Sequence, residues 1–440
     1  MAQTTGKSSQ SEWADAFRRA FAATGRTPVG RTLFHESRED LAVQLGHLAR
    51  PSMAHTQVCG LCLDDPASPA RLMYLSSADP QDAVRLACGG LPRERELGLG
   101  REGEPPESSR ATALAVVERL RALAGRAMAD EAVVVRWVSS MQRVTIARDD
   151  GLVVCDKREG WRLRLDAQPS ATVELARGLP PEPDDERLAQ LVQSLADTVA
   201  RRSETIPPPF GPTTVVLAPG AGGVWAHEVF GHALEADTFA SGRSWLARIA
   251  PGALPDQLTV SDDPLRCRTP ISIDDEGTAT SPLVLVANGR IMSCLHDRTS
   301  ATRAGRRPTG HGRRATFRDP VLPRMTCTYV ERGPTRADEI LADVDDGLYV
   351  RRMEAGTIDT SSGRATFRVT DADRIRRGTI EAAVEPHVLE IQAGRGFSGL
   401  RVGDDVELDT ITGSCHRDGQ TLITSVGAPT LCLGMVGVVR

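Results

Sequence analysis

The chain has 440 residues, 40% of them hydrophobic and 25% charged, which allows two or three domains with a sizeable core. Its 53 Lys and Arg against 58 Asp and Glu leave a formal net charge of −5, too mild to suggest nucleic acid or an anionic membrane as partner. No apolar run nears the ~20 residues of a membrane span, and neither the polar Met1–Gln10 segment nor the nine scattered cysteines suit a secreted protein, so a cytoplasmic location is expected.

Residues 1–11 read as a disordered polar tail, followed by an α+β domain over 12–206. Trp13 to Ala23 has helical character, and short apolar runs at Val58–Leu63 and Leu72–Leu75 read as strands. The single Cys59-Gly60-Leu61-Cys62 pair cannot close a four-ligand zinc site and sits in an apolar run, so two buried thiols are expected. Arg93 to Arg110 reads as an exposed loop, and Ser109 to Met128 as an amphipathic helix. Strands at Val133–Val138, Val144–Ile146 and Leu152–Cys155 frame a hairpin turn at Asp150-Gly151. Trp161, Leu163 and Leu165 alternate with arginines as in a half-buried strand, and Leu188 to Val199 marks another helix. Pro207-Pro208-Pro209 breaks that helix and sets the domain boundary. From 210 to 440, short strands separated by Gly, Asp and Pro turns predict a β-rich second domain.

The chemistry-bearing stretch is His227-Glu228-Val229-Phe230-Gly231-His232, which follows a short strand at Val215–Leu217 and a Gly-rich turn at Pro219–Gly223. No Lys-Ser/Thr pair follows that turn, which argues against phosphate binding. Neutral imidazoles are common zinc ligands, and a carboxylate beside them can take a proton from water. A step of five residues turns the second imidazole roughly 140° around a regular α-helix, too far to share one ion. A local π-type turn brings the pair back together, and Gly231 gives the backbone room for it. In a regular helix the two histidines are unrelated. A catalytic zinc needs a third protein ligand, and the residues alone leave Cys415, Glu235, Asp237 and His416 open.

His227 to Asp237 resembles the metal helix of the catalytic TldD-type subunit in the TldD/PmbA (TldE) metallopeptidase family. Further similarities follow in order: Ile273 to Thr278, Pro308 to Arg314, Pro323 to Tyr329, then Gly413-Ser414-Cys415, Gly419-Gln420 and Gly427 to Thr430. The likeness is good from about Val133 onward and weak before it. It implies a zinc-dependent peptidase with His227, His232 and Cys415 on the metal and Glu228 as general base. Glu235 is a candidate for orienting a histidine from behind. Arg313, Arg314, Arg324 and Tyr329 are candidates for the substrate side, and the arginine cluster of Arg303, Arg306, Arg307, Arg313 and Arg314 otherwise reads as a solvated or ion-paired loop.

The resemblance also implies short or unfolded peptide substrates, including modified peptides destined for natural products. It implies a partner as well, a TldE/PmbA-like chain or a second copy. Departures from the family pattern are His311, Cys327 and His416. Two rival readings are a metalloenzyme redirected to a small molecule and a non-catalytic partner subunit. The intact His227, Glu228, His232 and Cys415 set argues against the latter.

Overall fold

Strand alternation builds the first half of the protein. The computed structural model describes residues 10–439 apart from 25–29, 47–49, 67–72, 76–78, 83, 85–100, 103–106, 129–131, 169–170, 178–182, 268, 394–396 and 398. Of the tail expected at 1–11, residues 1–9 lie outside this description, and a helix already runs over Gln10–Thr24. The strands are β1 (Thr32–Leu45), β2 (Ser52–Asp64), β3 (Met73–Leu75), β4 (Arg101–Glu102), β5 (Ala132–Arg148), β6 (Val153–Gln168) and β7 (Ala171–Arg177). They pair antiparallel in the order β3-β2-β1-β5-β6-β7, with β4 beside β2. Most of the loop expected at Arg93–Arg110 lies outside the described residues, but Arg101 and Glu102 bond to the free stretch of β2 at Thr56–Gln57.

Because β1 pairs on both sides without a bulge, its residues alternate strictly between faces. Leu33, Leu41, Val43 and Leu45 face the helices Gln10–Thr24, Glu107–Ala127 and Asp185–Arg201. Phe34 and Glu36 face the second half of the chain.

From Thr205 onward come β8 (Thr205–Ile206), β9 (Gly211–Leu217), β10 (Val260–Asp262), β11 (Leu283–Ala287), β12 (Arg290–Ile291), β13 (Gly312–Arg313), β14 (Leu322–Pro323) and β15 (Cys327–Val330). Then follow β16 (Asp346–Asp359), β17 (Arg364–Arg376), β18 (Thr379–Val384), β19 (His387–Gln392), β20 (Arg401–Val402), β21 (Glu407–Arg417), β22 (Gln420–Ala428) and β23 (Leu431–Val439). The pairings β16-β9-β23-β19-β17, completed by β17 with β16, close a ring and so remove most of its edges. A second sheet runs β12-β11-β10-β15-β22-β21. The expected mixed α/β character with a β-rich second half is therefore present.

Between ring and second sheet lies the helix Ala221–Ala226, entered from β9 through Gly220 at φ +81°. Close approach explains the glycines here: a Cβ on Gly223 would stand 2.4 Å from the main-chain nitrogen of Gly427 on β22. The Gly-rich turn thus lets helix and strand pack backbone to backbone.

The two halves meet along the face of β1 and β2 opposite the helices. Arg158 donates to Asp275 at 2.7 Å, Arg314 pairs with Asp64, and the Phe317 amide donates to Glu36 at 2.9 Å. The Phe317 ring is wholly buried over Gly60, a contribution of about 1.5–3 kcal/mol. Gly60 is the spacer of the Cys59–Cys62 pair, so that motif serves an interface between the halves. Cys62 is buried and Cys59 half-buried, and burial pushes their thiols up to about 12 and about 11. A Cβ on Gly60 would stand 2.2 Å from the Phe317 ring, whereas one on Gly125, on the exposed face of the helix Glu107–Ala127, meets nothing within 4 Å. Gly60→Ala is expected to lower unfolding stability by about 1–3 kcal/mol, and Gly125→Ala to raise it by up to about 1 kcal/mol. Denaturant melts of the two variants check the contrast.

Candidate metal centre

The helix Ala221–Ala226 does not continue regularly into the histidine motif. His227–Gly231 forms a π turn in which the His232 amide donates to the His227 carbonyl, and a 3-10 turn over His232–Leu234 follows. The wider turn offsets the five-residue step, so the two imidazoles meet at right angles with ring centres 5.2 Å apart. Gly231 has ordinary helical dihedrals, so it supplies space rather than the backbone freedom expected from the sequence: a Cβ there would lie 2.9 Å from Met325 Cγ.

Cys415 comes from β21, the edge strand of the second sheet, and its Sγ lies 3.4 Å from His232 Nε2. One ligand atom each of His227, His232 and Cys415 lies within 4.8 Å of the others, and all three residues are buried. Among the described residues this is the one such cluster found. Strand alternation places His416 on the opposite face, exposed and bonded to Thr421 Oγ1 at 2.9 Å. Asp237 turns instead to Arg417.

Glu235 is 1% exposed, and its Oε2 lies 3.3 Å from His232 Nδ1. Arg417 Nη1 holds that same oxygen at 2.9 Å, while Arg324 Nε lies 3.8 Å from Oε1. A carboxylate so placed accepts from Nδ1–H and so fixes the ring with Nε2 turned toward Cys415. Glu228 lies on the other side of His232, its Oε2 4.0 Å from Nε2 and its Cγ packed against Gly356 of β16.

Electrostatics follow from this packing. Burial alone pushes the Cys415 thiol up, but His227 and His232 beside it hold it well below the usual thiol range. Burial opposes charge on His232, yet Glu235 and Cys415 outweigh it and lift that imidazole well above its usual value. Glu228 is raised by burial, with His227 and His232 pulling the other way.

The structure draws the remaining candidates into internal bonds. Arg313 donates to the carbonyls of Met325 at 2.6 Å and Ile423 at 3.2 Å. Arg314 pairs with Asp64 and lies over the Phe34 ring. Arg324 donates to the Cys415 carbonyl at 2.8 Å. Tyr329 is buried on β15, beneath the Arg266 guanidinium. Of the residues that departed from the family pattern, His311 is fully buried with Nε2 3.3 Å from Asp262, and Cys327 is buried in β15.

Arg417 and Met325 were not among the sequence candidates, although they support the site directly. Arg417 had a readable signal: it lies two residues beyond Cys415 in a strand, hence on the same face. Met325 had none, since its role is a contact with a distant glycine.

The model for the PmbA/TldA metallopeptidase C-terminal domain matches residues 211–439, so the chain belongs to the PmbA/TldD family. A protein named metalloprotease TldD homolog from Buchnera aphidicola of Acyrthosiphon pisum is 34% identical over 230 residues, covering 51% of this chain and 47% of that protein. A protein of the same name from Haemophilus influenzae is 32% identical over 237 residues, covering 52% and 48%. The matches thus span about half the length of these curated relatives. The solved structure of TldE from Thermococcus kodakarensis superposes over 97% of this chain and 100% of that one, with TM-score 0.72 at 15% identity, a likeness of fold. No helix among the described residues is long and apolar enough to cross a membrane.

The contact between Gly231 and Met325 is open to a double-mutant cycle. Gly231→Ala overpacks the turn, at a cost of about 1–3 kcal/mol, and Met325→Ala leaves a cavity. The double variant is expected to cost less than the sum of the two single costs, because the small residue at 325 admits the new methyl. Additive costs in thermal melts would show that the two do not touch.

Proposed function

We propose that this chain is a zinc-dependent peptidase, the catalytic TldD-type subunit, which hydrolyses short or unfolded peptides, including modified ones destined for natural products. One observation carries the reading: a π turn and an edge strand bring two imidazoles and a thiol into one buried cluster. The residues fit a divalent ion. The thiol is held on the thiolate side, His232 is fixed from behind by Glu235, and His227 Nδ1 is buried without a hydrogen-bond partner. His227, His232 and Cys415 would hold the ion, and one thiolate with two imidazoles favours Zn²⁺ over harder cations. When bound, such an ion supplies Lewis acidity toward water and the scissile carbonyl.

Glu228 is the general base in this reading. Its carboxylate takes a proton from the attacking water and delivers it to the leaving amine nitrogen. For substrate we propose peptide, and for partner a TldE-like chain or a second copy; membership of a metallopeptidase family supports both. A reducing compartment such as the cytoplasm suits a thiolate ligand, and no disulfide joins the described cysteines. For Arg313 and Arg314 we propose structural roles, because carbonyls and Asp64 already engage their guanidinium groups. We also propose a domain division at Pro207–Pro209, supported by a first sheet drawn from 32–177 alone. A redirected activity on a small molecule is the second reading, favoured by a family match that begins only at residue 211.

Glu228→Gln is expected to keep its zinc and lose about 10²–10⁴ in kcat, since an amide cannot accept the proton. Cys415→Ser is expected to lose bound metal, because a neutral hydroxyl is a far poorer ligand than a thiolate. Metal analysis and peptide-library cleavage read by mass spectrometry, with and without a TldE-like chain, check both. Wild-type protein with neither metal nor cleavage in either setting would refute the peptidase reading, and metal without any peptide cleaved would favour the small-molecule one.

A further inference from the structure

We propose that Arg324 is a positioning residue that ties the cysteine side of the centre to its histidine side; this rests on the metal-site reading above. Arg324 is fully buried between β14 and β15. Its Nη2 donates to the carbonyl of Cys415 at 2.8 Å. Its Nε faces Glu235 Oε1 at 3.8 Å, and the other oxygen of that carboxylate meets His232 Nδ1 at 3.3 Å. One guanidinium therefore stands between the strand that carries the thiol and the carboxylate that sets the imidazole.

The guanidinium is itself held in place. The Arg324 amide donates to the His311 carbonyl at 3.0 Å. Its neighbour Met325 is clamped by Arg313 and packs on Gly231 of the π turn. The next amide, Thr326, donates to Asp262 at 3.0 Å and 3.1 Å. Full burial keeps Arg324 from gripping a peptide directly. Its position lets it act through the ligands: Nη2 holds the cysteine strand by a hydrogen bond while the fixed plane of the guanidinium keeps its charge facing the Glu235 carboxylate.

Metal binding separates this role from an ordinary buried ion pair. Full-length wild type, Arg324→Lys and Arg324→Met would be stripped of metal and titrated with Zn²⁺ against a chelator. The same proteins would then be loaded with Co²⁺, and the thiolate-to-cobalt absorption recorded, with Cys415→Ser marking the band. Both variants are expected to bind Zn²⁺ about 10- to 100-fold more weakly and to alter the cobalt band, with Lys, which keeps the charge but loses the fixed guanidinium plane, less affected than Met. Metal-free melting temperatures of wild type and Arg324→Lys should stay close. Wild-type affinity and an unchanged band in both variants would overturn the proposal. So would failure of both to fold, or a loss of affinity with an unaltered band, since each points to a purely structural role. A wild-type chain that binds neither ion would instead overturn the metal-site reading itself.

Discussion

Everything at the centre depends on one backbone irregularity, the π turn over His227–Gly231. A widened turn is poor local structure, because it interrupts the hydrogen-bond ladder and leaves carbonyls to find other donors. The surroundings compensate. The Trp245 indole donates to the Val229 carbonyl at 3.0 Å, inside the turn itself. Phe230 packs among Trp225, Trp245 and Phe397 with ring centres 5.4–6.1 Å apart, in edge-on and tilted contacts. Met325 closes the side where Gly231 has no side chain. Burial of large aromatics thus holds a conformation that the local sequence would not choose by itself.

The segment from His311 to Thr326 connects this site to the first half of the protein. At one end Phe317 lies on Gly60 and Arg314 pairs with Asp64. Between those two residues the Ala315 amide donates to Gln420, whose own amide reaches the Pro320 carbonyl, so the segment is fastened to β22 as well. At the other end Arg324 and Met325 reach the cysteine strand and the π turn. Asp274 and Asp275 brace it from below by accepting the amides of Gly312 and Arg314. The Asp-Asp-Glu-Gly motif, which carried no chemistry in the sequence, is therefore the platform on which this segment rests.

What the sequence disclosed and what it withheld follow a physical division. His227, Glu228 and His232 were legible because their relation is local: a five-residue step, with a glycine where the turn must widen. Cys415 was one cysteine among nine until resemblance selected it, since a separation of 183 residues from His232 is closed by the fold alone. For Arg314 the sequence leaves a substrate contact and an internal ion pair both open, because its partner Asp64, 250 residues away, leaves no local trace. The long hairpin β5–β6 was legible only at its ends. Ser139, Ser140, Gln142 and Arg143 carry no apolar alternation, yet their backbones stay in register with β6 throughout. Alternation could have removed His416 from the ligand candidates, since a strand cannot point adjacent residues at one ion.

The charged groups behind the histidines are the least economical part of the structure in energetic terms. Glu235, Arg324 and Asp262 are almost fully removed from water, Asp262 beside the buried ring of His311. Ion pairs in such positions give little net stability, because desolvation offsets most of the attraction, and apolar replacements are often neutral or better. Stability is thus a weak reason for their presence. Geometry is a stronger one: a guanidinium and a carboxylate constrain direction as well as distance, which apolar packing does not. These pairs occur where direction matters, at the Nδ1 of His232, at the carbonyl of Cys415 and at the amide next to Met325. Elsewhere the core around Phe230 and β9 is built from aliphatic and aromatic side chains. Buried charge also occurs away from the His–His–Cys cluster, at Arg158 with Asp275 and at Arg201 with Asp373, where separate elements of the fold must be held in a fixed orientation.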